Sequence, residues 1–179
     1  MINKEKFFYI DSIQDIDFEY IKKIKANLIL RDKKSYNCGD INKLSNICKK
    51  KNLNLFISNN YKLLFKLKTK NFYISSKNRK PFGWLKKINS KIRIIGSAHN
   101  LSEIIQKKKQ GCESIVLSRL FKTNKKGYLG VTKFNLLTRD TKFSYIALGG
   151  IKKKNFNKIQ IVNAKGIAMM SELKNKPSF

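Results

Sequence analysis

The strongest constraint on the fold is a set of short apolar runs that recur at fairly even intervals. The runs are dense in large apolar residues and do not alternate with polar ones, which is typical of strands buried in a parallel sheet. They lie at 7–10, 28–30, 53–57, 72–74, 92–95, 115–117, 145–148 and 167–170. Eight such runs with helical spacers indicate βαβ units that close into a (β/α)₈ TIM barrel. The alternative is an open, doubly wound sheet.

The length of the chain limits the size of such a barrel. The chain has 179 residues, whereas a (β/α)₈ barrel usually has about 250 and seldom fewer than about 200. We therefore predict one compact α/β barrel domain over residues 1–179, with short helices and loops. The polar residues 174–179 are predicted to form a frayed tail.

The spacers between the runs carry apolar residues three or four positions apart, which is the period of an amphipathic helix. Ile41, Leu44 and Cys48 are one example. Asn100 precedes another such segment and is predicted to be its N-cap. A short helix is predicted around Trp84.

The charge of the chain is strongly positive. Its formal net charge is +29, from 40 Lys and Arg against 11 Asp and Glu. Taken alone, this charge indicates nucleic-acid binding. However, the lysines are spread over almost every segment, and the sequence shows no aromatic and basic motif of an RNA-binding module. We therefore predict phosphorylated small molecules as partners and keep nucleic acid as an alternative.

The cysteines and the apolar runs predict a cytoplasmic protein. The three cysteines form no CxxC pair, which disfavours zinc and a disulfide framework. Free thiols suit a reducing cytosol. No apolar run approaches the roughly 18 residues of a membrane span, so no membrane association is expected. The sequence leaves the oligomeric state open.

Polar residues follow the apolar runs, where a barrel places its active site. They are cations, hydroxyls, amides and glycines, with almost no carboxylates. Such a ring suits a polyphosphate or two separate phosphates. The pair Gly149–Gly150 is the most informative, because glycine lets the backbone approach an anion and leaves N–H groups to bind it. A plain tight turn is the alternative.

The order of the motifs resembles the thiamine phosphate synthase and thiazole tautomerase superfamily. The resemblance covers nearly the whole chain and is carried by the segments 30–33, 96–103, 111–115, 120–130, 147–151 and 164–171. It implies a TIM-barrel transferase of thiamine biosynthesis. Such an enzyme joins hydroxymethylpyrimidine pyrophosphate to thiazole phosphate and releases pyrophosphate.

The resemblance also implies roles for individual residues. Arg31, Lys33 and Lys126 fall on positions that grip pyrophosphate, and Ser97 falls on a serine near the pyrimidine and the pyrophosphate. We predict these four as the catalytic residues. The predicted substrate-binding residues are Thr123, Gly149, Gly150, Met170, Ser171 and Asn59.

The chain departs from the superfamily at its magnesium ligands. Mg²⁺ is the cofactor that the resemblance implies, but Asn59 and Asn78 occupy the positions of the two aspartates that bind it. Neutral amides bind Mg²⁺ far more weakly than carboxylates do. The substitution leaves two readings open, a synthase with weakened magnesium dependence and a non-catalytic or tautomerase-like phosphate-binding paralogue. The tautomerase option is weaker because Arg119 stands where that enzyme has a histidine.

Overall fold

The chain forms a closed parallel barrel in the computed structural model, which describes residues 4–10, 16–31, 37–140 and 142–169. The strands pair in chain order, and β1 also pairs with β8. They are β1 (Glu5–Ile10), β2 (Ala26–Leu30), β3 (Leu55–Ser58), β4 (Asn71–Ile74), β5 (Arg93–Ala98), β6 (Ser114–Ser118), β7 (Ser144–Leu148) and β8 (Gly166–Met169). The predicted (β/α)₈ barrel is confirmed, and the pairing of β1 with β8 excludes the open sheet.

Short helices connect the strands, as the length of the chain predicted. They are α1 (Phe18–Lys23), α2 (Cys38–Lys50), α3 (Tyr61–Lys66), α4 (Trp84–Ile88), α5 (Leu101–Lys109), α6 (Gly130–Leu137) and a 3₁₀ helix (Lys153–Ile159). The predicted N-cap is confirmed, because the Asn100 side chain accepts a hydrogen bond from the Glu103 N–H at 2.9 Å. None of the described helices is long and apolar enough to cross a membrane.

The interior of the barrel is filled by side chains from alternate positions of its strands. The residues of this interior cluster are Phe7, Tyr9, Ile29, Phe56, Tyr73, Ile95, Val116, Ile146 and Ala168. A separate layer of apolar residues packs between the strands and the helices. Because these side chains fill the interior, ligands must bind at an end of the barrel.

An ion pair occupies the N-terminal end of the barrel. The Arg93 guanidinium donates two hydrogen bonds to the Glu5 carboxylate, at 2.6 and 2.7 Å. The guanidinium carbon also lies 5.7 and 5.6 Å from the ring centroids of Phe7 and Phe56. This arrangement anchors one end of the packed interior, so the polar residues at the other end form the candidate site.

One strand is longer than its apolar run predicted. The apolar run at 92–95 ends before Ser97, but β5 continues to Ala98 because Ser97 and Ala98 pair with Val116 and Leu117 of β6. Ser97 is therefore held by a sheet and not by a loop. The predicted frayed tail at 174–179 lies outside the described residues.

Candidate active site

The C-terminal ends of the strands gather most of the described site residues. Arg31 follows β2, Asn59 follows β3, and Ser97 lies near the end of β5. Gly149 follows β7 on the same rim. Because all strands of the closed barrel run parallel, these residues border one mouth.

Two tyrosines form the floor of this mouth. The hydroxyl groups of Tyr9 and Tyr73 share a hydrogen bond of 3.0 Å, and their rings meet edge to face with centroids 5.6 Å apart. Burial raises the pKa of both hydroxyls, which therefore stay neutral at physiological pH. A hydrogen bond with Ser97 and the charge of Arg31 act in the opposite direction on the pKa of Tyr73. Ser97 thus lies beside the Tyr73 hydroxyl, and Arg31 is near enough for its charge to act on it.

Three polar residues after β3 and β4 form an amide cluster, which consists of Asn59, Ser75 and Asn78. The Asn59 Oδ1 atom accepts hydrogen bonds from the Ser75 N–H and from the Asn78 Nδ2, both at 3.0 Å. Its Nδ2 donates to the Ser75 Oγ at 3.1 Å. The backbone N–H of Asn59 donates to the carbonyl of Tyr73 at 2.8 Å, so the cluster adjoins the tyrosine floor.

The glycine pair lies against the loop that follows β6. The Phe121 N–H donates to the Gly149 carbonyl at 3.0 Å, and the Asn155 side chain donates to the Gly150 carbonyl at 2.7 Å. Gly150 has φ +67°, and a Cβ atom there would lie 2.7 Å from the carbonyl oxygens of Phe121 and Lys122. Both the left-handed backbone and the close approach therefore require glycine at position 150.

The loop after β6 carries two further predicted residues. The Arg119 guanidinium donates to the carbonyl of Lys126 and to that of Gly127, the latter at 3.0 Å. These bonds anchor the backbone of Lys126, whereas its side chain is exposed. Thr123 is half-buried, and its hydroxyl accepts a hydrogen bond from the Lys125 N–H at 3.2 Å. Within the described residues, no hydrogen bond joins the Lys126 side chain to the amide cluster.

The sequence model of the thiamine monophosphate synthase family matches residues 20–173. The chain belongs to this family. A thiamine-phosphate synthase of Prochlorococcus marinus is 30% identical over 139 residues, which are 75% of this chain and 40% of that protein. The thiamine-phosphate synthase of another strain is 36% identical over 102 residues, 54% of this chain and 27% of that protein. The chain thus spans less than half the length of these curated relatives.

Solved structures show the same fold. Thiamine phosphate pyrophosphorylase from Pyrococcus furiosus superposes with a TM-score of 0.71 at 16% identity, over 94% of this chain and 86% of that one. The enzyme of that name from Bacteroides thetaiotaomicron gives 0.68 at 15% identity, over 98% and 86%. At these identities the likeness concerns the barrel alone.

Asn59 and Asn78, which the resemblance assigns to the magnesium positions, offer a set of donor atoms that does not fit Mg²⁺. Both lone pairs of the Asn59 Oδ1 atom already accept hydrogen bonds from N–H groups of the amide cluster. The Asn78 Oδ1 atom accepts the Lys80 N–H at 2.9 Å. Among the described residues, no group of three or more His, Cys, Asp or Glu side chains is placed to hold a metal. Mg²⁺ prefers charged oxygen ligands, so these amides offer it little.

The predicted residues therefore fall into three groups. Arg31, Ser97 and the asparagines of the amide cluster lie together around the tyrosine floor. Thr123, Gly149 and Gly150 belong to the β6 and β7 side of the same rim, with Lys126 in the exposed part of that loop. Three predicted residues lie outside the described part of the chain, and their roles stay predictions: Lys33, Met170 and Ser171.

The site residues predicted from the sequence do not include the two floor tyrosines or Ser75, although Ser75 follows the fourth apolar run. A signal for them exists, because side chains alternate between the two faces of a strand. Tyr9 follows the inward-facing Phe7 by two positions, and Ser75 follows Tyr73 by two positions. Counting by twos toward the end of each apolar run would have placed these hydroxyls at the mouth.

Proposed function

We propose that this chain couples hydroxymethylpyrimidine pyrophosphate to thiazole phosphate, releasing pyrophosphate and forming thiamine phosphate. The family supports the reaction type, and the side chains around the tyrosine floor support the way in which the chain carries it out. The single observation that carries the proposal is that the amide cluster adjoins Tyr73 through Asn59, while Ser97 and Arg31 lie on the same rim, with Arg31 near enough for its charge to lower the pKa of Tyr73.

The leaving pyrophosphate would bind on the side of Arg31 and the amide cluster. In the first step the bond between the pyrimidine methylene carbon and the pyrophosphate oxygen breaks, and both electrons leave with that oxygen. Fixed cations and N–H donors stabilise the negative charge that develops there. Arg31 supplies a guanidinium, and Lys33 and Lys126 are the additional cations that the sequence offers. No step in this scheme uses a metal.

The pyrimidine cation would form above the tyrosine floor. The neutral hydroxyls of Tyr73 and Ser97 can hydrogen-bond the polar atoms of the pyrimidine ring. The packed aromatic rings beneath them keep water away from the reactive carbon. Water exclusion matters because water would capture the cation and give an alcohol in place of the coupled product.

The second substrate would bind through its phosphate at Gly149–Gly150. Among the described residues, no acceptor takes a hydrogen bond from the Gly150 N–H, which leaves it for an anion. The thiazole nitrogen then attacks the methylene carbon with its lone pair, and the new C–N bond completes the product. This bond formation transfers no proton, which suits a site whose described residues are mainly cations, hydroxyls and amides.

A product assay tests the proposal. The purified chain is mixed with both substrates at magnesium concentrations from zero (with a chelator) to millimolar. We expect thiamine phosphate and pyrophosphate in equal amounts, and neither product when one substrate is omitted. Absence of thiamine phosphate at every magnesium concentration would remove the proposal.

A phosphate-binding paralogue without turnover is the second candidate. The observation that favours it is the amide cluster itself, whose Asn59 and Asn78 are bonded to each other at positions where the resemblance implies metal-binding carboxylates. Such a protein would bind thiazole phosphate in calorimetry and give no product in the assay above. Turnover in that assay decides against it.

A further inference from the structure

Lys107 of α5 is a buried cation beneath the candidate site. Its side chain is 0% exposed, and it is the one lysine among the described side chains that is buried. Its Nζ donates three hydrogen bonds: to the Ser75 carbonyl at 2.7 Å, the Asn78 carbonyl at 2.8 Å and the Gln110 Oε1 at 2.8 Å. An ammonium group has three donors, so this set of acceptors satisfies all of them.

The barrel wall makes room for this side chain at Gly96 of β5. A Cβ atom at Gly96 would lie 2.8 Å from the Lys107 Cδ and 2.7 Å from the Cys112 Sγ. Any larger residue at position 96 would therefore displace the lysine stem or the thiol. The path of Lys107 from α5 to the loop after β4 depends on this glycine.

Gln110 holds the same loop as Lys107. Its Nε2 donates to the carbonyls of Asn78 and Lys80 at 3.0 and 2.6 Å. The carbonyl groups of Ser75, Asn78 and Lys80 are thus all fixed by residues at the end of α5. The same loop presents the Ser75 N–H and the Asn78 amide to Asn59, so the amide cluster rests on these contacts.

The buried ammonium remains charged at neutral pH. Burial lowers the pKa of Lys107 to about 8, and the charge of Arg79 adds to this effect, whereas Cys112 and Glu103 oppose it. Burying a cation is unfavourable unless hydrogen bonds replace its hydration. The three acceptors do so here, and removing the ammonium would leave two loop carbonyls without this donor.

We propose that Lys107 is a positioning residue of the pyrophosphate side of the site, which holds the Ser75–Lys80 loop in the place where its amides meet Asn59. The proposal depends on the proposed function for the identity of the ligand, and on the contacts above for the positioning. Lys107 acts through the loop and touches no substrate.

The test compares Lys107→Met with Lys109→Met. Both variants remove one charge from α5, but Lys109 is exposed. Amide hydrogen exchange of the free protein reports the loop through the N–H groups of Ser75, Asn78 and Lys80, which are hydrogen-bonded. We expect Lys107→Met to speed exchange there by about tenfold or more, and Lys109→Met to leave it unchanged.

Calorimetry with inorganic pyrophosphate and with thiazole phosphate provides the second measurement. We expect Lys107→Met to weaken pyrophosphate binding by about tenfold and to change thiazole phosphate binding by less than about twofold. Unchanged exchange, or an equal loss for both ligands, would overturn the proposal. If the wild type binds no pyrophosphate, the proposed function fails, and the exchange data alone decide whether Lys107 holds the loop.

Gln110→Met provides an alternative test of the loop if Lys107→Met does not fold. It removes two hydrogen bonds to the loop and leaves the ammonium in place. We expect faster exchange at Lys80 and Asn78, and a smaller loss of pyrophosphate affinity than a variant of Lys107 would give. Unchanged amide exchange in Gln110→Met would likewise contradict the proposal that residues at the end of α5 hold the Ser75–Lys80 loop in place.

Discussion

The side-chain oxygen of Asn59 accepts a hydrogen bond from the side-chain amide of Asn78 at 3.0 Å. Two carboxylates at this separation would repel each other unless a cation lay between them. Two amides attract each other directly. The pair therefore stabilises the neighbouring loops without a metal. Under the proposed function, the charge of the pyrophosphate would be met by Arg and Lys side chains.

The first prediction concerns magnesium. The coupling rate of the wild type should change by less than about threefold between a chelator and millimolar Mg²⁺, because Asn59 and Asn78 carry no carboxylate that could recruit the ion. The double variant Asn59→Asp with Asn78→Asp should become magnesium-dependent by about tenfold or more. Initial rates across a magnesium titration provide the measurement. A wild type that stops in chelator and recovers with Mg²⁺ would show that the amides do not replace the metal.

The second prediction concerns Arg31. Arg31→Met keeps a side chain of similar length and removes the guanidinium beside the tyrosine floor. We expect kcat/KM for the pyrimidine substrate to fall by about 100-fold, the usual effect of losing one donor that stabilises developing charge. Lys91→Met is the control, since it removes one exposed charge at the opposite end of β5. An equal loss of kcat/KM in the two variants would indicate that Arg31 acts only through the overall positive charge of the protein and not through local contacts with the substrate.

The third prediction compares two glycines with left-handed backbones. Gly130 and Gly150 have φ +70° and +67°, so an alanine at either position carries a similar backbone strain of about 1 kcal/mol. Only position 150 adds a clash, because nothing lies within 4 Å of a Cβ at Gly130. Gly150→Ala should therefore lose more unfolding free energy in urea than Gly130→Ala does.

Binding data extend this comparison to function. Gly150→Ala should also weaken thiazole phosphate binding, whereas Gly130→Ala should not, since only Gly150 belongs to the proposed phosphate turn. Two variants with equal unfolding free energy and equal affinity for thiazole phosphate would mean that the close approach at Gly150 contributes neither to stability nor to ligand binding.

The fourth prediction concerns the thiols. Burial raises the pKa of Cys48 and of Cys112 to about 12, whereas Cys38 is exposed. At pH 8 the two buried thiols are thiolates in only about 1 in 10,000 molecules, because the raised pKa disfavours the charged form. A chromogenic disulfide reagent should titrate one thiol rapidly in the native protein and two more after unfolding. A Cys38→Ser variant should lose the fast phase; a fast phase that persists would place a second reactive thiol at the surface.

Much of the fold could be predicted because parallel strands in a barrel are buried on both faces. Each apolar run therefore marks a strand, as Phe72–Ile74 marks β4 and Tyr145–Leu148 marks β7. The ends of the strands were less predictable. β5 runs through Gly96 to Ala98 because the pairing with β6 continues there, and hydrophobicity alone does not report such pairing.

The candidate site likewise has a part that the sequence could predict and a part that it could not. Arg31 and Gly150 could be predicted at the mouth because a cation or a glycine directly after a buried strand differs clearly from the apolar residues before it. The lysine-rich composition hid Lys107, since one buried lysine resembles the many solvated ones around it. Its position three residues after the buried Ile104 on α5 was the available signal, because residues three apart share a helix face.

The most direct test is an experimental structure of the protein with pyrophosphate and thiamine phosphate bound together. We predict pyrophosphate oxygens within about 3 Å of the Arg31 guanidinium and of the Asn78 amide. We also predict the phosphate of thiamine phosphate against the Gly149–Gly150 backbone, with the pyrimidine over Tyr73. Ligands bound away from the C-terminal mouth, or a pyrophosphate that contacts neither Arg31 nor the amide cluster, would contradict the proposed function.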